Sequence, residues 1–107
     1  MTDRIAALQA QIGGPRDGAL LRFALGSALL DAKRTAEACE AFHAAVDFDP
    51  DYSAAWKLLG KALLAHEDFD AAAEAWRLGI DAAARRGDKQ AEKEMQVFLR
   101  RLQKPRG

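Results

Sequence analysis

The stretch that decides the fold of this 107-residue chain runs Trp56-Lys57-Leu58-Leu59-Gly60-Lys61-Ala62-Leu63. Its apolar residues recur at helical spacing, and a second helical pattern follows through Phe69, Ala72, Trp76 and Gly79. Only a few residues separate the two patterns, and short turns favour antiparallel neighbours. The sequence therefore predicts two helices that pack side by side as a hairpin.

The same pattern occurs once more, 34 residues earlier in the chain. Shifting residues 19–50 onto 53–84 places Gly26 opposite Gly60 and Phe42 opposite Trp76. The shift also pairs Leu25 with Leu59, Ala28 with Ala62, Leu29 with Leu63, Leu30 with Leu64, Ala38 with Ala72, Glu40 with Glu74, Ala41 with Ala75 and Asp47 with Asp81. A fixed period of this length is typical of stacked repeats, in which each unit buries the apolar face of its neighbour.

The helix pattern extends over most of the chain. We predict helices at about 3–12, 18–32, 35–48, 53–66, 69–86 and 88–103. Thr35, Ser53 and Asp68 are candidate N-caps, because their side-chain oxygens can accept a backbone N–H of the first turn. Gly87 predicts a helix end, and Asp88 predicts the cap of the next helix. The predicted fold class is all-α, with antiparallel helix-turn-helix repeats between an N-terminal helix and a C-terminal capping helix.

A chain of this length suits one domain, which we predict over 1–107. The predicted parts are an N-terminal helix at 3–12, a first repeat at 18–48, a second repeat at 53–86, a capping helix at 88–103 and a tail at 104–107. The capping helix carries its apolar residues on one face and charged residues over most of the rest. These apolar residues are Ala91, Met95, Phe98, Leu99 and Leu102.

Composition argues against several classes of function. The 16 basic and 16 acidic side chains cancel, so we expect no nucleic-acid partner, although residues 85–107 carry 8 basic and 3 acidic ones. No apolar run approaches the roughly 20 residues of a membrane span, so we expect no membrane partner. Cys39 is the single cysteine, and the N-terminus lacks the pattern of a secretory signal. We therefore expect a cytoplasmic protein.

No residue pattern predicts a catalytic centre or a metal site. His43 and His66 lie 23 residues apart on different predicted helices, without the spacing of a zinc site. Cys39 lies on the small-residue face of its predicted helix, and no neighbouring residue is placed to act as its base. We expect no cofactor, no bound metal and no enzymatic activity.

The two units resemble the tetratricopeptide repeat, whose pattern runs Trp-x-x-Leu-Gly-x-x-Tyr, then Ala, a large aromatic residue, another small residue and a closing proline. The second unit matches at Trp56, Leu59, Gly60, Ala72, Trp76 and Gly79, and the first at Leu25, Gly26, Leu29, Ala38, Phe42, Ala45 and Pro50. The resemblance covers two repeats, at about 19–52 and 53–86, and implies a right-handed superhelical stack. Arg22 stands at the tryptophan position, Leu29 and Leu63 at the tyrosine positions, and Ala84 at the second closing proline.

The resemblance also implies a function, because members of the family present the first helix of each repeat on a concave surface. It implies an adaptor or scaffold that binds a peptide or protein in a shallow groove. Lys57 and Lys61 lie one helical turn apart, where some relatives hold a terminal carboxylate; solvated lysines are the other interpretation. The residues assigned to the groove are Leu20, Phe23, Ser27, Leu30, Ala54, Lys57, Lys61 and Leu64.

The alternative to a partner-binding groove is self-association. In that case Leu20, Phe23 and Leu30 would meet another copy of the chain across a symmetric homodimer interface, and the protein would be a structural domain. An accessory subunit of an enzyme complex is a further alternative. The sequence leaves these possibilities open.

Overall fold

The structure is a computed structural model that describes residues 3–105, and it contains six helices in that range. They are α1 (Asp3–Gln9), α2 (Ala19–Asp31), α3 (Thr35–Phe48), α4 (Ser53–Ala65), α5 (Phe69–Arg86) and α6 (Lys89–Gln103). The prediction of an all-α fold is confirmed. The first helix is shorter than predicted, because residues 10–12 form tighter turns in which Gln11 N–H and Ile12 N–H bond to Leu8 and Gln9.

Each helical hairpin is built on contact between a glycine and a large aromatic ring. A Cβ atom on Gly26 of α2 would meet the ring of Phe42 of α3 at 2.7 Å, and one on Gly60 of α4 would overlap the indole of Trp76 of α5. Phe42 and Trp76 are both buried. The absence of a side chain at each glycine therefore lets an aromatic ring lie directly on the partner helix. The equivalence inferred from the 34-residue shift holds in three dimensions.

The turn within each hairpin is closed by a residue in the left-handed conformation. Lys33 and Glu67, which are 34 residues apart, both have φ of 62°. Behind them, Arg34 N–H donates to Leu29 O and Asp68 N–H to Leu63 O, each at 2.9 Å. These bonds satisfy carbonyls at the end of the preceding helix. The short turns thus follow from the way the first helix of each hairpin ends.

The predicted N-caps at Thr35 and Ser53 are wrong. Both are the first residues of their helices, and Arg34 and Tyr52 occupy the cap positions without a side-chain cap bond. Asp68 does precede α5, but its side chain makes no cap bond either. The reason for α3 and α5 is that the left-handed turn fixes where each helix begins, so a side-chain cap is not required.

A partly buried ion pair between Asp17 and Arg22 connects the N-terminal segment to the first repeat. Arg22, at the position where the family pattern has tryptophan, donates from Nε and a terminal nitrogen to Asp17 at 2.8 and 2.9 Å. Asp17 also accepts the Gly13 backbone N–H at 2.9 Å. The bond from Arg22, followed by that from Gly13, holds the pKa of the Asp17 carboxyl well below its usual range. The guanidinium also lies 5.7 Å from the centre of the Phe48 ring, so Arg22 joins three segments.

Replacing Gly60 by alanine tests the close approach. The new methyl group has no room beside Trp76, so we expect the free energy of unfolding to fall by about 1–3 kcal/mol, despite the gain of about 1 kcal/mol in helix propensity. Urea denaturation followed by circular dichroism measures this change. Gly18→Ser is the control, because no atom lies within 4 Å of a Cβ there and serine is a favoured N-cap. A Gly60→Ala variant as stable as the wild type would contradict the packing argument.

Candidate partner-binding surface

The helices α2, α4 and α6 lie side by side along one side of the molecule, because α2 contacts α4 and α4 contacts α6. Helices α3 and α5 pack behind them, between successive members of the set. The exposed side of α2, α4 and α6 is called here the first-helix face. It is the surface to which the sequence assigned the candidate groove.

A cavity of about 440 Å³ opens at one end of the first-helix face, between α4 and α6. We call it the terminal cavity. Its lining is mostly apolar, with two cationic side chains, and Trp76 of α5 contributes as well. The lining consists of Lys61 and Leu64 from α4, Trp76 from α5, and Phe98, Arg101 and Leu102 from α6. A cavity of this size is in the range of small binding sites.

Of the predicted groove residues, the structure brings only Lys61 and Leu64 together in this cavity. The Lys61 ammonium lies 4.9 Å from the centre of the Phe98 ring, which is the geometry of a cation–π contact. Leu64 is 38% exposed. Leu20, near the start of α2, is 73% exposed and lies apart from the cavity lining.

Two of the other predicted groove residues, Phe23 and Lys57, have partners within the chain. The Phe23 ring stacks on Tyr52 with 4.9 Å between ring centres and tilts against Phe42 at 5.9 Å, so much of it serves packing. Lys57 Nζ lies 3.0 Å from a carboxylate oxygen of Glu94 in α6. The remaining three, Ser27, Leu30 and Ala54, are partly buried. Lys57 and Lys61 therefore differ in environment although they are one turn apart on α4.

Sequence reasoning missed the contribution of α6 to this surface. The predicted groove included no residue of the capping helix, and Phe98 and Leu102 were predicted only as part of its apolar face. The 34-residue shift gave no signal for this contribution, because it places buried Leu59 on exposed Lys93 and exposed Lys61 on buried Met95. Helix α5 has 18 residues and α3 has 14, so the register changes before α6, although α6 still lies beside α4 as a third first helix would.

Polar contacts at the start of α6 set its position beside α4. Gly87 ends α5 with φ of 76°, and Asp88 caps α6 by accepting the Ala91 N–H at 3.1 Å, as the sequence predicted. The buried Ser53, at the start of α4, donates its hydroxyl to Asp88 at 2.9 Å. The Ala91 N–H and then the Ser53 hydroxyl hold the pKa of the Asp88 carboxyl below its ordinary value of 3.8. The charged form of Asp88 therefore stabilises the arrangement that forms the cavity.

The described part of the chain offers little for other kinds of chemistry. No group of three or more His, Cys, Asp and Glu side chains within residues 3–105 could hold a metal ion. Burial raises the pKa of the Cys39 thiol, and Asp68 raises it further, so the reactive thiolate is disfavoured. None of the six helices is both long and apolar enough to cross a bilayer.

The fold and this face define a class, the helical-hairpin repeat proteins, and comparison with known proteins identifies the family. The model of the tetratricopeptide repeat matches residues 29–88. A TPR repeat-containing protein of Pseudomonas aeruginosa is 50% identical over 102 residues, which cover 95% of this chain and 97% of that relative. A Bordetella parapertussis protein whose structure was determined in solution is 47% identical, with a TM-score of 0.77, over 95% of this chain and 86% of its own.

The chain belongs to the tetratricopeptide repeat family. Repeats of this family generally mediate protein–protein interaction, and membership points to a repeat protein without catalytic activity. The sequence-based identification of the family is thereby confirmed.

Replacing Asp88 by asparagine tests how its charge supports α6. A carboxyl with a lowered pKa stabilises the fold above its unfolded pKa and loses that contribution as pH falls through the folded pKa. We therefore expect Asp88→Asn to unfold more easily than wild type at pH 7, and the difference to shrink below about pH 4. Urea denaturation at a series of pH values measures it. Asp81→Asn, at an exposed position of α5, is the control, and a wild-type advantage that grows towards low pH would refute the argument.

Proposed function

We propose that this protein is an interaction module, an adaptor or scaffold, that binds a peptide or protein partner on the first-helix face. The observation that carries the proposal is the terminal cavity between α4 and α6. Leu64 of the cavity lining and Leu20 of α2 are exposed apolar side chains on two of the three helices that form this face. An apolar cavity beside exposed charged and apolar residues is the arrangement that holds a peptide side chain while other groups set its orientation.

The expected affinity follows from the size of this surface. Burial of one large apolar side chain contributes about 1.5–3 kcal/mol, and ordering a free peptide opposes binding. A partner that used the cavity alone would bind weakly, so we expect contacts to extend along α4 and α2 towards Leu20. The predicted groove residues that have internal partners, Phe23 and Lys57, then shape the face, while Lys61 and Leu64 contact the ligand.

A cytoplasmic adaptor that needs no cofactor is consistent with the rest of the chain. Cys39 is a free, buried thiol, which suits a reducing compartment. The basic and acidic side chains cancel overall, so a protein partner is favoured over a nucleic acid or a membrane surface. These features support a protein partner in a reducing compartment.

Self-association is the second candidate, and the exposure of Leu20 favours it. A leucine with 73% of its surface exposed on α2 could meet the same residue of another copy across a two-fold axis. Phe23 would form the rigid base of such an interface, because its ring is stacked on that of Tyr52. An accessory role in an enzyme complex would use the same face towards a different protein.

Affinity capture tests the proposal. We expect the wild-type protein to retain a partner from a lysate of its own cells. The variants Leu20→Glu and Lys61→Glu/Leu64→Glu should retain at least about tenfold less of that partner, which is the ratio for a loss of about 1.4 kcal/mol of binding free energy. Leu78→Glu is the control, since Leu78 is 41% exposed on α5 and lies outside the cavity lining. Circular dichroism establishes that each variant is folded.

Sedimentation of the purified protein over a dilution series separates the two candidates. A monomer at micromolar concentration supports the adaptor function. A dimer that Leu20→Glu converts to a monomer would instead show that the face is a self-interface. Equal capture by the wild type and all variants would contradict the proposed function, because the partner would then bind elsewhere.

A further inference from the structure

A basic depression adjoins the terminal cavity at the end of α6. This second depression is lined by Arg100, Arg101, Gln103 and Lys104, and Arg101 lines both. Neither lining includes an acidic side chain. The apolar cavity and the basic depression therefore form one surface, with Lys61 at one side and Lys104 at the other.

The cations of this surface are not neutralised within the described chain. Six basic side chains in residues 3–105 make salt bridges, and none of them is Lys61, Arg100, Arg101 or Lys104. Lys57 provides the contrast, because Glu94 neutralises it one turn earlier on α4. A ligand of this surface would have to supply negative charge of its own.

The neighbouring apolar surface strengthens such an interaction. Phe98, Leu102 and Trp76 exclude water from one side of the cations, and charges attract more strongly where water is excluded. Bonds from guanidinium or ammonium groups to a carboxylate are stronger than neutral hydrogen bonds, and arginine can hold both carboxylate oxygens. A partner with adjacent apolar and acidic groups matches both parts of the surface.

We propose that this surface binds an acidic peptide segment of another protein. A large apolar side chain, phenylalanine or leucine, enters the terminal cavity, and neighbouring acidic residues lie over Lys61 and Arg101 and continue towards Arg100 and Lys104. The inference rests on the proposed function, since it specifies the chemistry of the partner at the first-helix face. Charge complementarity, together with the apolar lining, selects this ligand.

A nucleic acid fits the surface less well. Its phosphates would match the cations, but the polar group of Trp76 is already used, because its indole N–H donates to Lys57 O at 3.1 Å. Apart from the cations Lys61 and Arg101, the remaining lining of the cavity is aliphatic or phenyl, with no neutral polar group to recognise a base edge. A peptide side chain uses this lining fully.

A second copy of the chain is the other possible occupant. Asp47-Phe48-Asp49 and Asp68-Phe69-Asp70 each place an exposed phenylalanine between two aspartates. Asp49 already pairs with Arg86 at 3.2 Å, and the Arg22 guanidinium lies near the Phe48 ring. Docking of either segment into the cavity of the next copy would be head-to-tail and would generate a ring or an open filament, which changes the mass of the particle. The proposal therefore names a different protein, and self-assembly is an outcome of the test.

Selection from a phage-displayed library of random dodecapeptides on the intact chain tests the proposal. We expect enriched sequences to combine phenylalanine or leucine with at least two adjacent acidic residues. A synthetic, fluorescein-labelled copy of the most enriched peptide is then titrated by fluorescence anisotropy. Its affinity should fall as salt rises, because part of the binding is electrostatic.

Two pairs of variants locate the binding. Arg101→Gln and Leu64→Gln should each weaken the peptide about tenfold. Their controls, Lys93→Gln on α6 and Leu78→Gln on α5, remove a similar charge and a similarly exposed leucine outside both depressions, and should stay within about twofold of wild type. Thermal melts followed by circular dichroism verify that all four variants fold.

The other outcomes overturn the proposal in distinguishable ways. Peptides that are lost in Leu20→Gln but not in Leu64→Gln or Arg101→Gln would leave the proposed function standing and refute the acidic-peptide site. Enriched peptides that none of these variants affects would refute both. The acidic-peptide site is also refuted if no acidic sequences are enriched. It is refuted if the wild-type protein self-assembles and Phe48→Gln or Phe69→Gln converts the assembly to monomers. A labelled single-stranded oligonucleotide whose binding is weakened by Arg101→Gln as the peptide's should be would refute it as well.

Discussion

The close approach of two helices at a glycine is the constraint on which the rest of the structure depends. Gly60 gives the Trp76 indole direct access to the backbone of α4, where its N–H donates to Lys57 O, and Gly26 gives Phe42 the corresponding place in the first hairpin. A helix interior ordinarily disfavours glycine by about 1 kcal/mol relative to alanine. Burial of a large ring against the partner helix more than offsets that cost, and it fixes the distance between the two helices of each hairpin.

Stacked hairpins leave an apolar face at the end of the stack, and α6 covers it. Met95 is fully buried against Gly79, and the Phe98 ring lies 5.4 Å from that of Trp76. Near its start, α6 lies against α4, and the hydrogen bond from Ser53 of α4 to Asp88 holds the two helices together there. Towards its end α6 leaves the terminal cavity open. The same helix thus supplies both stability to the second repeat and half of the candidate binding surface.

The elements that repeat could be predicted from the sequence, because two copies of one pattern reinforce each other. Gly26, Gly60 and the helix ranges follow from that periodicity. The turns at Lys33 and Glu67 could not be predicted in the same way, since residues in the left-handed conformation are usually glycine and these are not. The ion pair of Asp17 and Arg22 was also missed, because Asp17 precedes the repeat and Arg22 departs from its pattern, which predicts no partner for an arginine at that position.

The candidate site shows why pattern alone could not separate its residues. Lys57 and Lys61 are the same residue type one turn apart on α4, and Glu94 and Phe98 are one turn apart on α6. Because α4 and α6 run parallel in register, Lys57 meets the carboxylate and Lys61 meets the ring. The charge of one lysine is neutralised inside the molecule, whereas the other faces the terminal cavity beside Arg101. The repeats therefore provide the shape of the face, and the sequence of α6 decides which of its charges a partner can meet.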